Sequence, residues 1–95
     1  MTVEISQNRI IHVTIITFDG PEDRFKFKLD TLVKDAKAKA LEHFNIEPAP
    51  GDVYRLAEKK NDKFRPLNDN NSLGVEGVQN KDEIWLGTEQ EVGCQ

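Results

Sequence analysis

Apolar residues recur along this chain with two periods, and the change from one to the other marks the elements. Ile10 to Phe18 reads Ile-Ile-His-Val-Thr-Ile-Ile-Thr-Phe, dense in β-branched and aromatic residues and free of Ala, Leu and Glu. Such a run suits a strand. Its faces, Ile11/Val13/Ile15 and Ile10/His12/Thr14/Ile16/Phe18, are both partly apolar, the pattern of a strand inside a sheet. Asp19-Gly20-Pro21 supplies a turn. Arg24 to Leu29 then alternates cleanly, with Phe25, Phe27 and Leu29 on one side and Arg24, Lys26 and Lys28 on the other. The two runs predict a hairpin across Asp19 to Asp23.

From Thr31 to Phe44 the period lengthens. Val33, Ala36, Ala40, Leu41 and Phe44 form one stripe of a helix. Lys37 stands at its border, where a long side chain snorkels. Asp30 or Thr31 offers an N-cap. Asn45 stands where the helix ends, and Pro48-Ala49-Pro50-Gly51 forbids continuation.

Val53 to Ala57 predicts a third strand, followed by a charged reversal from Glu58 to Lys63 with Asn61-Asp62 at its tip. Phe64 to Leu67 reads as a short return strand, and Pro66 marks it as a sheet edge. Leu73 and Val78 anchor a compact connection. Glu83 to Leu86 predicts the last strand, with Ile84 and Leu86 on one face and Trp85 on the other. The order gives an α+β fold, one helix packed across a mixed sheet of four to five strands. The domain is expected over residues 10–87, between an N-terminal arm of residues 1–9 and a flexible tail of residues 88–95. Ile11, Val13, Ile15, Phe27, Leu29, Val33, Ala36, Leu41, Leu56, Leu67, Ile84 and Leu86 are the expected core.

Composition narrows the chemistry. The 95 residues are one domain's worth of chain, too apolar at 37% hydrophobic to be read as disordered. A net charge of −4 argues against nucleic acid or an anionic membrane as the main partner. The lone cysteine, Cys94, excludes an intrachain disulfide and a multi-cysteine zinc site. No apolar run approaches the ~20 residues of a membrane span. The first residues lack the basic start and apolar stretch of a secretion signal, so a cytoplasmic protein is expected.

Catalytic and metal chemistry has no foothold. His12 and His43 are the only histidines, and no HExxH or Cys/His cluster joins them. Glu89 and Glu91 beside Cys94 oppose thiolate formation. No catalytic residue, metal or cofactor is therefore expected. Trp85 is the more telling residue. If Ile84 and Leu86 face the helix, Trp85 lies on the open face of the sheet with Arg55 turned the same way, and an aromatic beside an arginine suits an interface anchor.

Three stretches carry a family resemblance. They are the hairpin Ile11-Val13-Ile15 with Phe25-Phe27-Leu29, the lysine-rich helix from Thr31 to Ala40, and the run Leu67 to Gly74 continued by Val78 to Leu86. In that order the chain resembles the ubiquitin-like β-grasp family from Ile10 to Leu86, and is most similar to a bacterial ubiquitin-like protein modifier. The resemblance implies that the open sheet face is a docking surface built on a central residue. Arg55 is expected there, with Trp85 and His12 beside it.

Modifiers and sulfur carriers of the family end in Gly-Gly; this chain ends Glu91-Val92-Gly93-Cys94-Gln95. The resemblance then implies a modifier trimmed of Cys94 and Gln95 by a processing peptidase. Gly93 would be joined to target proteins by activating and conjugating enzymes, and the chain itself would be a non-catalytic monomer. The alternative is a non-covalent adaptor binding through the sheet face. A sulfur carrier is disfavoured by the departure at the tail.

Overall fold

The computed structural model describes residues 9–92. β1 (Ile10–Thr17) and β2 (Glu22–Lys28) form the expected antiparallel hairpin, with Ile11 opposite Phe27 and Val13 opposite Phe25. Gly20, at φ +119°, makes the reversal, a backbone region that a side chain disfavours. α1 (Val33–His43) follows, then β3 (Tyr54–Lys60), β4 (Lys63–Pro66) and β5 (Glu83–Thr88). The five strands make one mixed sheet in the order β2-β1-β5-β3-β4. β5 runs parallel to β1 and antiparallel to β3. Pro66 lies on the edge strand β4, where its missing N–H costs no ladder bond.

The helix crosses one face of this sheet. Val33, Ala36 and Ala40 are buried against Ile11, Val13, Ile15, Leu56, Ile84 and Leu86. Leu73 and Val78 join that core as the sequence predicts. Leu29 and Leu41, expected inside, are half-buried at its margin, packed against the buried cluster.

Element ends differ from expectation for identifiable reasons. β3 continues to Lys60 rather than stopping at Ala57. Asn61 and Asp62 are both left-handed, at φ 52° and 65°, and make a two-residue turn whose twist suits paired strands. Glu58-Lys59-Lys60 is therefore ladder, not reversal. Neither Asp30 nor Thr31 caps the helix: Leu32 is the N-cap and makes no side-chain cap bond. The orphan N–H groups of Val33 and Lys34 instead donate to the carbonyls of Asn71 and Asp69, at 2.9 and 3.2 Å. The C-terminus follows the sequence. Asn45 is left-handed at φ 58° and donates to the Glu42 carbonyl, while the Ile46 N–H reaches Leu41.

The chain from Thr88 to Val92, expected to begin a flexible tail, folds back instead. The Thr88 N–H donates to Glu91 Oε1 at 2.9 Å and the Glu91 N–H to Thr88 Oγ1 at 3.2 Å. Val92 is buried. The rest of the expected arm and tail, residues 1–8 and 93–95, lies outside the described residues.

Candidate functional site

The sheet face away from the helix is the candidate site, and strand register fixes what it holds. Ala57 of β3 stands opposite Trp85, Arg55 opposite Gly87, and Ile16 of β1 opposite Trp85 on the other side. Alternation then puts Ile16 and Phe18 on the face of Trp85, with Phe64 and Pro66 joining from β4 opposite Lys59 and Ala57. Trp85, Phe18 and Phe64 are half-buried and pack on one another. Their ring centroids are 5.3 Å apart for Phe18–Trp85, 5.3 Å for Phe18–Phe64 and 5.5 Å for Phe64–Trp85. The rings lie over the two smallest side chains of this face, Ala57 and Gly87, both buried. Lys59 Nζ stands 5.7 Å from the centroids of both Phe64 and Trp85, within the ~6 Å reach of a cation–π contact.

The three residues expected to form one patch are not brought together. Trp85 is on the open face as expected. Arg55 shares that face but is not its centre. The position opposite Trp85 belongs to Ala57, and the Arg55 guanidinium is drawn to Glu89 at 2.9 Å. His12 lies four residues from Ile16 along β1, about 13 Å from the strand position beside Trp85. Gly93, Cys94 and Gln95 lie outside the described residues.

Sequence reasoning missed Phe18, Phe64, Ala57 and Lys59. Alternation already gave Phe18 the parity of Ile16. Only the parallel pairing of β1 with β5 tells that this parity meets Trp85. Tyr54, at the end of β3 near the turn to Val92, has its phenol pushed up by burial, then by the carboxylates of Asp52, Glu91 and Asp19. That end of the sheet is acidic.

Half-buried rings over a flat sheet offer apolar contact, and Lys59 offers a cation beside them. Among the described residues no group of three or more His, Cys, Asp or Glu is placed to hold a metal ion, and no helix is long and apolar enough to cross a membrane.

No family model matches the chain, and no curated protein matches it in sequence. Solved structures match it in fold. The UBL domain of Plasmodium falciparum Dsk2 superposes with a TM-score of 0.65 at 25% identity, covering 84% of this chain and 99% of that one. A structure described as molecular mimicry of SUMO promoting DNA repair gives a TM-score of 0.66 at 15% identity, over 82% of this chain and 90% of that one.

The fold is a ubiquitin-like β-grasp. In this ubiquitin-like domain the middle of the open face is filled by its own aromatic rings, while Ala57, at the position between them, is hidden beneath.

Proposed function

We propose that this ubiquitin-like domain is a protein-docking module that binds through the open sheet face. The observation that carries the reading is the aromatic group Phe18–Phe64–Trp85 with Lys59 over two of its rings. Hot spots at protein interfaces favour such rings, anchored in place and ringed by polar groups. The test is site-directed photo-crosslinking in the native cell from position 59, with exposed Asp35 on the helix as control. Adducts should form from position 59, and Phe64→Ala or Trp85→Leu should weaken them by about 2 kcal/mol of affinity with the fold intact. Equal adducts from both positions would remove the reading.

A second reading, a covalent modifier joined to targets through Gly93, is favoured by one observation. That glycine directly follows Val92, which is buried after β5. Its activating and conjugating enzymes, and a peptidase removing Cys94 and Gln95, would then be partners. The Thr88–Val92 turn would have to open for the carboxylate to enter an enzyme channel. Intact mass spectrometry on native material decides it. A chain ending at Gly93 with higher-mass conjugates supports the modifier, and only the full 95-residue chain without adducts removes it.

A further inference from the structure

One corner of the open face is cationic on a chain whose net charge is −4. The outward side chains of β2 are Glu22, at its start opposite Ile16, and then Arg24, Lys26 and Lys28, opposite Thr14, His12 and Ile10 of β1. The turn before β5 brings Lys81 to the other side of the same stretch of β1. The Lys81 N–H donates to the His12 carbonyl at 2.6 Å, the His12 N–H to Asn80 Oδ1 at 2.8 Å, and the Thr14 N–H to the Asp82 carbonyl at 3.0 Å. Lys81 adopts φ +75°, an uncommon backbone for a residue with a side chain, and these bonds hold it. Between the two cationic rims is a cavity of about 440 Å³ whose lining includes Arg24, Lys81, His12 and the exposed Ile10.

Among the described residues, none of Arg24, Lys26, Lys28 and Lys81 makes an ion pair. Glu83, opposite Thr14, faces them from β5, and Glu22 shares their face at the start of β2, opposite Ile16. Four cations against these two carboxylates still focus a positive field on an otherwise acidic molecule. The three cations of β2 are spaced two residues apart, about 6.6 Å, well inside the ~8–10 Å over which salt leaves charges interacting. They repel one another unless an anion covers them. Alternate side chains of an extended peptide have that same spacing.

We propose that this cleft docks an extended acidic segment of a partner protein, with alternate carboxylates meeting Arg24, Lys26 and Lys28, another meeting Lys81, and an apolar residue resting on Ile10. The proposal rests on the reading that the open face docks proteins, and adds a second contact with its own chemistry. A polyanion such as RNA fits less well, because its charges continue past the cleft over acidic surface.

The experiment is an NMR titration of the full chain with a peptide of alternating Glu and Thr, and with the same peptide carrying Gln for Glu. Amide shifts should gather at residues 10–14, 24–28 and 80–81 with the Glu peptide alone. Affinity should fall at least threefold from 0.1 M to 1 M salt, where the Debye length drops from about 10 to about 3 Å. The triple variant Arg24→Ser, Lys26→Ser, Lys81→Ser should bind at least tenfold more weakly with an unchanged circular-dichroism spectrum. Should it not fold, Lys81→Gln alone should lose about threefold.

Equal binding of the Gln peptide, shifts confined elsewhere, or tighter binding of single-stranded RNA or phosphatidylserine vesicles would overturn the proposal. Trp85→Leu should leave peptide binding unchanged. Crosslinks that depend on Trp85, together with no peptide binding, overturn the cleft and leave the aromatic docking surface standing. Peptide binding with no Trp85-dependent crosslink does the reverse.

Discussion

Gly87 is where the open face becomes crowded. A Cβ there would lie 2.6 Å from Phe18 Cδ1, 2.7 Å from Phe18 Cε1 and 3.0 Å from Glu91 Oε1. Its backbone is ordinary strand, so the glycine is needed for space and not for its torsions. Phe18 cannot swing freely aside, because Phe64 and Trp85 pack on it. Gly87→Ala should therefore cost about 1–3 kcal/mol in urea unfolding, the usual range for overpacking. In a Phe18→Ala background most of that cost should vanish, since the pair shares one volume. Additive costs would mean that the glycine makes room for something else. Lys37 teaches the same lesson on the other face. Its expected snorkelling is a specific staple, with Nζ 3.0 Å from the Tyr54 carbonyl and 2.7 Å from Asp69.

The connection from Asn68 to Val78 works as an element although it is neither helix nor strand. Its carbonyls cap α1, Leu73 and Val78 bury themselves in the core, and Leu32 bridges to Ser72. Glu76 ties it together. The carboxylate accepts from Asn71 Nδ2 at 2.7 Å, the Asn68 N–H at 3.2 Å and Arg65 at 3.3 Å. The bond from Asn71, then those from Asn68 and Arg65, hold its pKa below the ordinary 4.5 against the opposing effect of burial. A carboxyl lowered by folding stabilises the fold above its unfolded value, and that contribution is lost as pH falls through the folded one. Glu76→Gln should thus be less stable at pH 7 by about 1.5–3 kcal/mol, the worth of hydrogen bonds to a charged group. The gap should close as the pH drops below about 4.5. Urea midpoints across a pH series check it, and a gap that stays constant would show that the charge is not what matters.

At the scale of the molecule, the sheet has two unlike sides. The side under α1 is a contiguous aliphatic core. The other carries a smaller aromatic layer over its middle and a row of cations on the edge strand β2. Val92 is buried but stands outside the contiguous core, so the return of the chain after β5 adds packing of its own. Val92→Ala should lower stability by about 1–3 kcal/mol, the scale of burying an aliphatic side chain. It should also release the Val92 amide, bonded to the Thr88 carbonyl at 3.0 Å, to fast hydrogen exchange. Unchanged protection would mean that the turn stands on the Thr88–Glu91 bonds alone. The chain end would then open without loss of packing, as a modifier needs.

Element identity and order were legible in the sequence because they rest on local periods. The alternation of Arg24 to Leu29, the helical stripe from Val33 to Phe44 and the apolar pair Ile84/Leu86 each state which side is buried whatever they pack against. Pro66 named an edge and Asn45 a helix end for equally local reasons, one missing donor and one tolerated left-handed backbone. What lay beyond the sequence was register between distant strands. Nothing local says that Trp85 stands between Ile16 and Ala57, that Phe18 and Phe64 close on it, or that Arg55 belongs with Glu89. The helix start was undecidable for the same reason, because its donors are met by the distant carbonyls of Asn71 and Asp69 rather than by Asp30 or Thr31. Local periodicity sets which side of an element faces the core. Only the folded chain decides which elements become neighbours, and the candidate site is made of neighbours.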